Sequence, residues 1–151
     1  MDNSTQNEIL LLTQIDNVKG NESIKILSIC SSVLSSEKYV SSAVEALDNI
    51  FNSPDFDLTN EFTRVVVNIF NVNKKFNYYK EISTERTKYV VWGVFYHYLQ
   101  KHQADFLNSH DMGVWRLLFA NAWDLITIIP QTVKIDKASC ICGWCSDKTS
   151  I

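Results

Sequence analysis

Turn-forming residues are scarce in this chain, with four glycines and two prolines in 151 residues. A sandwich or barrel of that length needs a turn roughly every 8–12 residues, so the shortage argues for helices. A basic stripe is also missing. The net charge is −3 and the lysines are scattered, which argues against a nucleic-acid partner. No uncharged apolar run reaches the roughly 18–20 residues of a membrane span. The first residues, Met1-Asp-Asn-Ser-Thr-Gln6, are polar and lead into no apolar run behind a basic stretch, so they do not read as a signal peptide. Four cysteines without such a signal read as reduced thiols, not as a disulfide framework. Repeats and low-complexity segments are absent. So are a nucleophile–base pattern, a phosphate loop and a His-Glu-x-x-His helix, and an enzyme is not expected.

What is present is helical periodicity. The apolar fraction, 46%, is ordinary for a globular protein and large enough for a core. One all-α domain over 1–151 is expected, in the cytoplasm, without a membrane anchor or cofactor. Thr5 and Glu8 have the spacing of a capping box before a first helix carrying Ile9, Leu12 and Ile15. A second helix is expected over about 22–34 and a third over about 37–52, after a break at Ser35-Ser36. Asn52 to Asp57 reads as a turn. Asp57 or Thr59 caps a fourth helix, in which Phe62, Val65, Val66, Ile69 and Phe70 repeat at helical spacing. From Asn71 to Thr87 the pattern weakens to a loop and a short surface helix.

Residues 86–103 dominate the chain. No formal charge lies between Lys88 and Lys101, and nearly every position from Tyr89 to Leu99 is apolar or aromatic. A helix that is apolar all round belongs inside a domain. Trp92-Gly93 sets a bulky anchor beside a residue with no side chain, as at a helix start that another backbone approaches closely. After a polar connection, 113–129 form a second apolar helix with Arg116, Asn121 and Asp124 on one narrow side, ended by Pro130. A short closing element carries Cys140-Ile-Cys-Gly-Trp-Cys145. Three thiols there fall short of a zinc knuckle pair, and Cys30, His102 or His110 would have to complete a site from afar, so no metal is expected.

Trp92-Gly93 and Gly143-Trp144 lie 52 positions apart. The pairs resemble the first and second homology motifs of the Bcl-2 family of apoptosis regulators, Asn-Trp-Gly-Arg opening the central helix and Gly-Gly-Trp near the C-terminus. Phe62-Thr-Arg-Val-Val-Val-Asn-Ile-Phe70 resembles the helix before the first motif. A second register also exists. Phe106 to Trp115, followed by Leu118-Phe119, resembles the second motif as well, and would place Phe76-Asn77 at Trp-Gly. It makes the polar stretch 76–88 the central helix, which burial disfavours. The chain departs from the family at Val91 and Val94, which replace the motif's Asn and Arg. The third motif is incomplete both at Leu27 to Ser32 and at Val44 to Asp48.

The resemblance implies a virus-encoded, anti-apoptotic helical bundle acting in the host cell cytoplasm, near mitochondria only through its partners. Its groove would hold the amphipathic death-motif helix of a pro-apoptotic Bcl-2 family protein. The implied walls are Val44, Leu47, Phe51, Phe62, Val66 and Ile69, with Gly93, Val94 and His97 on the floor. Trp92, Gly143 and Trp144 are the implied structural motif residues. The family's arginine pairs with an aspartate of the ligand. With Val94 in its place, Arg86 or Lys88 is the candidate substitute. The alternative implied by the same fold is a dimeric interaction protein that modulates innate-immune signalling and leaves death motifs unbound.

Overall fold

The computed structural model describes residues 1–77 and 81–139, with side chains as far as Leu125. Among these residues every regular element is an α-helix: α1 (Asn3–Ile15), α2 (Gly20–Leu34), α3 (Glu37–Phe51), α4 (Leu58–Lys75), α5 (Thr84–His102), α6 (Ala104–Ser109) and α7 (Met112–Ser139). The chain divides into two units, Met1–Asn121 and Ala122–Ile151. The first is an all-α bundle holding α1 to α6 and the opening turns of α7. The second is described as the rest of α7.

Within the first unit α5 is the hub, packing against α1, α2, α3, α4 and α6. Its buried side chains run unbroken from Tyr89 to Phe95 and resume at Tyr98 and Leu99. The surrounding helices each contribute one apolar stripe. Ile9 and Leu12 come from α1, Ile26, Cys30 and Val33 from α2, Leu47 and Ile50 from α3, and Val65, Val66 and Ile69 from α4. Such stripes are what amphipathic spacing buries. Burial pushes the Cys30 thiol up to about 12.

Local chemistry sets most boundaries. Ser36, Asp57 and Ser83 cap α3, α4 and α5, each side chain accepting from a backbone N–H of the first turn. Four expectations need correction. The capping box at Thr5 and Glu8 is not formed, because Asp2 caps α1 and leaves Thr5 and Glu8 buried inside the helix. Trp92-Gly93 lies mid-helix, since Ser83 starts α5 well before it. Helix α4 continues to Lys75, its last turn held by the buried Tyr39 hydroxyl donating to Asn73 Oδ1. Lys74 and Lys75 also suit the negative end of a helix. Pro130 does not end α7, which runs to Ser139. A proline deletes one backbone hydrogen bond and crowds one turn, so it kinks a helix as readily as it stops one.

The second apolar helix is also less covered than expected. Phe119 is buried, but Val114, Leu117 and Leu118 are exposed. Arg116, placed by the pattern on a solvent side, faces inward to Glu8.

Candidate functional site

The side of α5 that carries Gly93 faces α1. A Cβ built on Gly93 would lie 2.9 Å from Ile9 Cδ1 and 3.2 Å from Ile9 Cγ1. The missing side chain thus admits this chain's own α1. Polar bonds run along the same seam. The Gln100 amide nitrogen donates to Thr5 Oγ1 and Asp2 Oδ2, both at 3.1 Å. Glu8 accepts from Trp92 Nε1 at 3.1 Å and from Arg116 Nη2 at 3.0 Å, and pairs also with Arg116 Nε. These bonds hold the Arg116 guanidinium above its ordinary pKa. Asp16 accepts from the Tyr89 hydroxyl at 2.7 Å and pairs with Lys88 at 2.8 Å, while Lys88 also donates to the Ala120 carbonyl. Arg86 is engaged by Glu22 through two hydrogen bonds. Both candidate substitutes for the arginine, Arg86 and Lys88, are therefore engaged by carboxylates of this chain.

The implied groove residues separate into three places. Leu47, Phe51, Phe62, Val66 and Ile69 come together where α3 and α4 meet α5, but as buried core. Phe62 meets Phe95 and Trp115 at ring distances of 6.1 and 5.2 Å, and Phe51 meets Tyr98 at 5.2 Å. Val94 is 3% exposed, and so presents nothing to solvent. Val44 is half-buried on the outer edge of α3. Gly93 lies on the α1 side, and so does His97, whose charge environment is Asp2, Lys101 and the chain's amino terminus. Val94 lies about 100° around α5 from Gly93, which faces Ile9 of α1. Trp92 is fully buried against Phe95 and Phe119. Gly143 and Trp144, like Cys140, Cys142 and Cys145, lie outside the described residues.

Among the described residues, three concave surfaces border α3. One cavity of about 560 Å³ is lined by Val40, Ser41, Val44, Glu45, Asp48 and His102, among others. A second, between α3 and α4, includes Ser42, Glu45, Asn68, Asn71 and Lys75, and a third includes Glu37, Lys38, Ser41 and Glu45. Glu45 borders all three. Among the described residues no ion pair involves Glu37, Glu45 or Asp48. Asp48 accepts the Tyr98 hydroxyl at 2.6 Å, and burial followed by that bond raises the Tyr98 pKa.

Sequence reasoning missed the ion pair between Glu8 and Arg116. Thr5, Glu8 and Leu12 share a helical face, and that spacing was the available signal for Glu8. Ser109 Oγ lies 3.0 Å from His110 Nδ1, but that nitrogen also meets the Phe106 carbonyl at 2.8 Å. It must donate there and cannot take a serine proton, so the pair closes a helix end. Among the described residues no cluster of three His, Cys, Asp or Glu side chains is placed to hold a metal ion. No described helix is long and apolar enough to cross a membrane. No protein-family model, curated protein or solved structure matches this chain.

Proposed function

We propose that this protein is a Bcl-2-like regulator that acts by contact, capturing the amphipathic death-motif helix of a pro-apoptotic partner and so restraining cell death in a host cytoplasm. One observation carries the reading. A single buried helix, α5, carries Trp92 and is ringed by the amphipathic α1 to α4; the resemblance implies such a central helix, although it puts Trp92 at the start of that helix and not in its middle. The seam of α3 and α4 over α5 supplies the apolar side chains that such a ligand needs, and the ligand has to open it. The test is a fluorescence-polarisation titration with pro-apoptotic death-motif peptides. A Kd of about 10 μM or tighter, roughly −7 kcal/mol, is expected. Weaker binding by every peptide overturns the reading.

A second reading is favoured by the closure of that seam. Leu47, Val66 and Ile69 are fully buried, as in a bundle whose groove is filled by its own side chains. Such a protein engages partners, or a second copy, through its outer surface and modulates innate-immune signalling. Light scattering that reports a dimer, together with no protection in a cell-death assay, would favour it over the first.

A further inference from the structure

Ser53-Pro54 is the one step in the chain where a hydroxyl residue precedes a proline. It sits in the turn between α3 and α4, where Asn52 to Asp55 are all exposed. Two bonds keep Ser53 on the line of α3. Its N–H donates to the Ile50 carbonyl at 3.3 Å, and its Oγ donates to the Asn49 carbonyl at 3.4 Å. Across the seam, Lys75 Nζ donates to Ser42 Oγ at 3.3 Å, and Ser42, Asn49, Arg64 and Lys75 line one cavity of about 430 Å³. Ser53 lies eleven residues after Ser42, and Arg64 eleven before Lys75, about three helical turns in each case. The antiparallel register that joins Ser42 to Lys75 therefore sets Ser53 opposite Arg64. Side chains tilt toward the N-terminus of their helix, so Arg64 leans toward the turn. Its partner is Glu61, one turn away at 2.9 Å, and with the arginine 57% exposed that pair is easily exchanged.

We propose that Ser53 is a phosphorylation site for a proline-directed serine kinase, with Arg64 as the cation that receives the phosphate and ties the turn to α4. Proline has no N–H, so only a kinase whose next subsite asks for none accepts this step. The Ser53 oxygen bonds to the γ-phosphorus of ATP, the bond to the β–γ bridging oxygen breaks, ADP leaves, and the hydroxyl proton passes to the kinase's base. The product carries up to two negative charges and no hydroxyl hydrogen, so the bond to the Asn49 carbonyl is lost. Most of the surroundings oppose that charge. The carbonyl end of α3 is negative, and Asp55, Asp57 and Glu61 follow in sequence. Those repulsions are exposed and screened, whereas a guanidinium forms two parallel charge-assisted bonds to a phosphate. Arg64 therefore decides the sign of the effect. A phosphate held by it links the end of α3 to α4, and a ligand that must part these helices binds less well. Only that last consequence rests on the proposed reading.

The experiment incubates the full chain with ATP and a proline-directed kinase of the mitogen-activated class, and maps the phosphate by mass spectrometry. One phosphate on Ser53 is expected, absent from Ser53→Ala. Phosphorus NMR then follows its second ionisation, which lies near pH 6 in a free phosphoserine. In the folded protein that midpoint should fall below its value in a phosphopeptide of residues 49–58, and Arg64→Gln should restore it. Phosphorylation should raise the urea midpoint of the parent and lower that of Arg64→Gln, with the gap narrowing at high salt. Both substituted side chains are exposed, and circular dichroism melts verify that the variants fold. Death-motif binding should weaken about fivefold on phosphorylation. No phosphate at Ser53 overturns the inference, as does a phosphorus titration that matches the peptide or ignores Arg64→Gln, or a urea midpoint that falls equally with and without the arginine. An unmodified Ser53 with intact death-motif binding overturns it while leaving the proposed function standing. A phosphate held by Arg64, with no death-motif binding in either form, upholds the site and removes the proposed ligand class. A phosphate so held that leaves death-motif binding unchanged upholds the site and overturns its link to the opening of the seam.

Discussion

Replacing Gly93 with alanine tests whether this glycine exists to make room for the Ile9 side chain of α1. Two effects of opposite sign compete. Alanine in the middle of α5 gains about 1 kcal/mol through helix propensity and a less flexible unfolded chain. The new Cβ, however, would lie 2.9 Å from Ile9 Cδ1 and 3.2 Å from Cγ1, closer than such carbons pack. Ile9 is fully buried, so it has to leave its rotamer or push α1 outward. Overpacking of this kind costs about 1–3 kcal/mol. The net expectation is a loss of about 1 kcal/mol, measured by urea denaturation. Ile9→Val removes the nearest clashing atom and by itself costs about 1 kcal/mol. In the double variant the two losses should not add. A coupling of about 1–2 kcal/mol in favour of the pair is expected, against the ~0.5 kcal/mol within which independent sites add. Additive losses, or a Gly93→Ala protein more stable than the parent, would show that Ile9 does not fill the notch.

Three further outcomes follow from the same packing. Glu8→Ala strands the mostly buried Arg116 guanidinium and the buried Trp92 N–H, so a loss of about 3 kcal/mol is expected in urea melts. Adding Arg116→Met should recover part of that loss, and a loss below about 1 kcal/mol would show that the bonds contribute little. Burial lowers the His97 pKa from its ordinary 6.5, so the unfolded chain takes up the proton first as pH falls. Stability should therefore be full above about pH 6.5, decline as pH drops from there toward the folded pKa, and lose that slope in His97→Asn. Stability that rises between pH 7.5 and 5 in the parent would contradict the sign. Asp2 faces His97, as do Lys101, His102 and the amino terminus. Asp2 itself titrates below this window, its carboxyl disfavoured by burial but held below 3.8 by Thr5, Lys101 and His97. Finally, with its thiol at about 12, Cys30 is ionised at pH 8 in only about one molecule in ten thousand. In a protein whose Cys140, Cys142 and Cys145 are replaced by serine, thiol reagents should label Cys30 only as fast as the chain unfolds. Rapid labelling of the folded protein would place it at the surface.

Much of the helical framework was legible in the residues themselves. The stripes Ala43, Leu47, Phe51 and Phe62, Val66, Ile69 report α3 and α4, and Ser36 and Asp57 report where they begin. The uncharged run from Tyr89 to Leu99 reports a buried α5, because no orientation of such a helix can leave it in water. These are short-range facts. Periodicity, capping and desolvation act over a few residues and need no knowledge of the partner.

Tertiary structure alone decided what each face meets. Glu8 looked like a capping residue because its local option, three residues from Thr5, is visible in sequence, whereas its actual partner Arg116 is 108 positions away. Gly93 announces a close approach, but only the packed chain shows that α1 makes it. A helix apolar on every side carries no mark of which neighbour belongs where, so the separation of Gly93 and His97 from Val66 and Ile69 could not be read from spacing. The exposed Val114, Leu117 and Leu118 make the same point from outside. Hydrophobicity specifies that a side chain gains from burial, and only the count and placement of the other helices settle whether anything arrives to bury it.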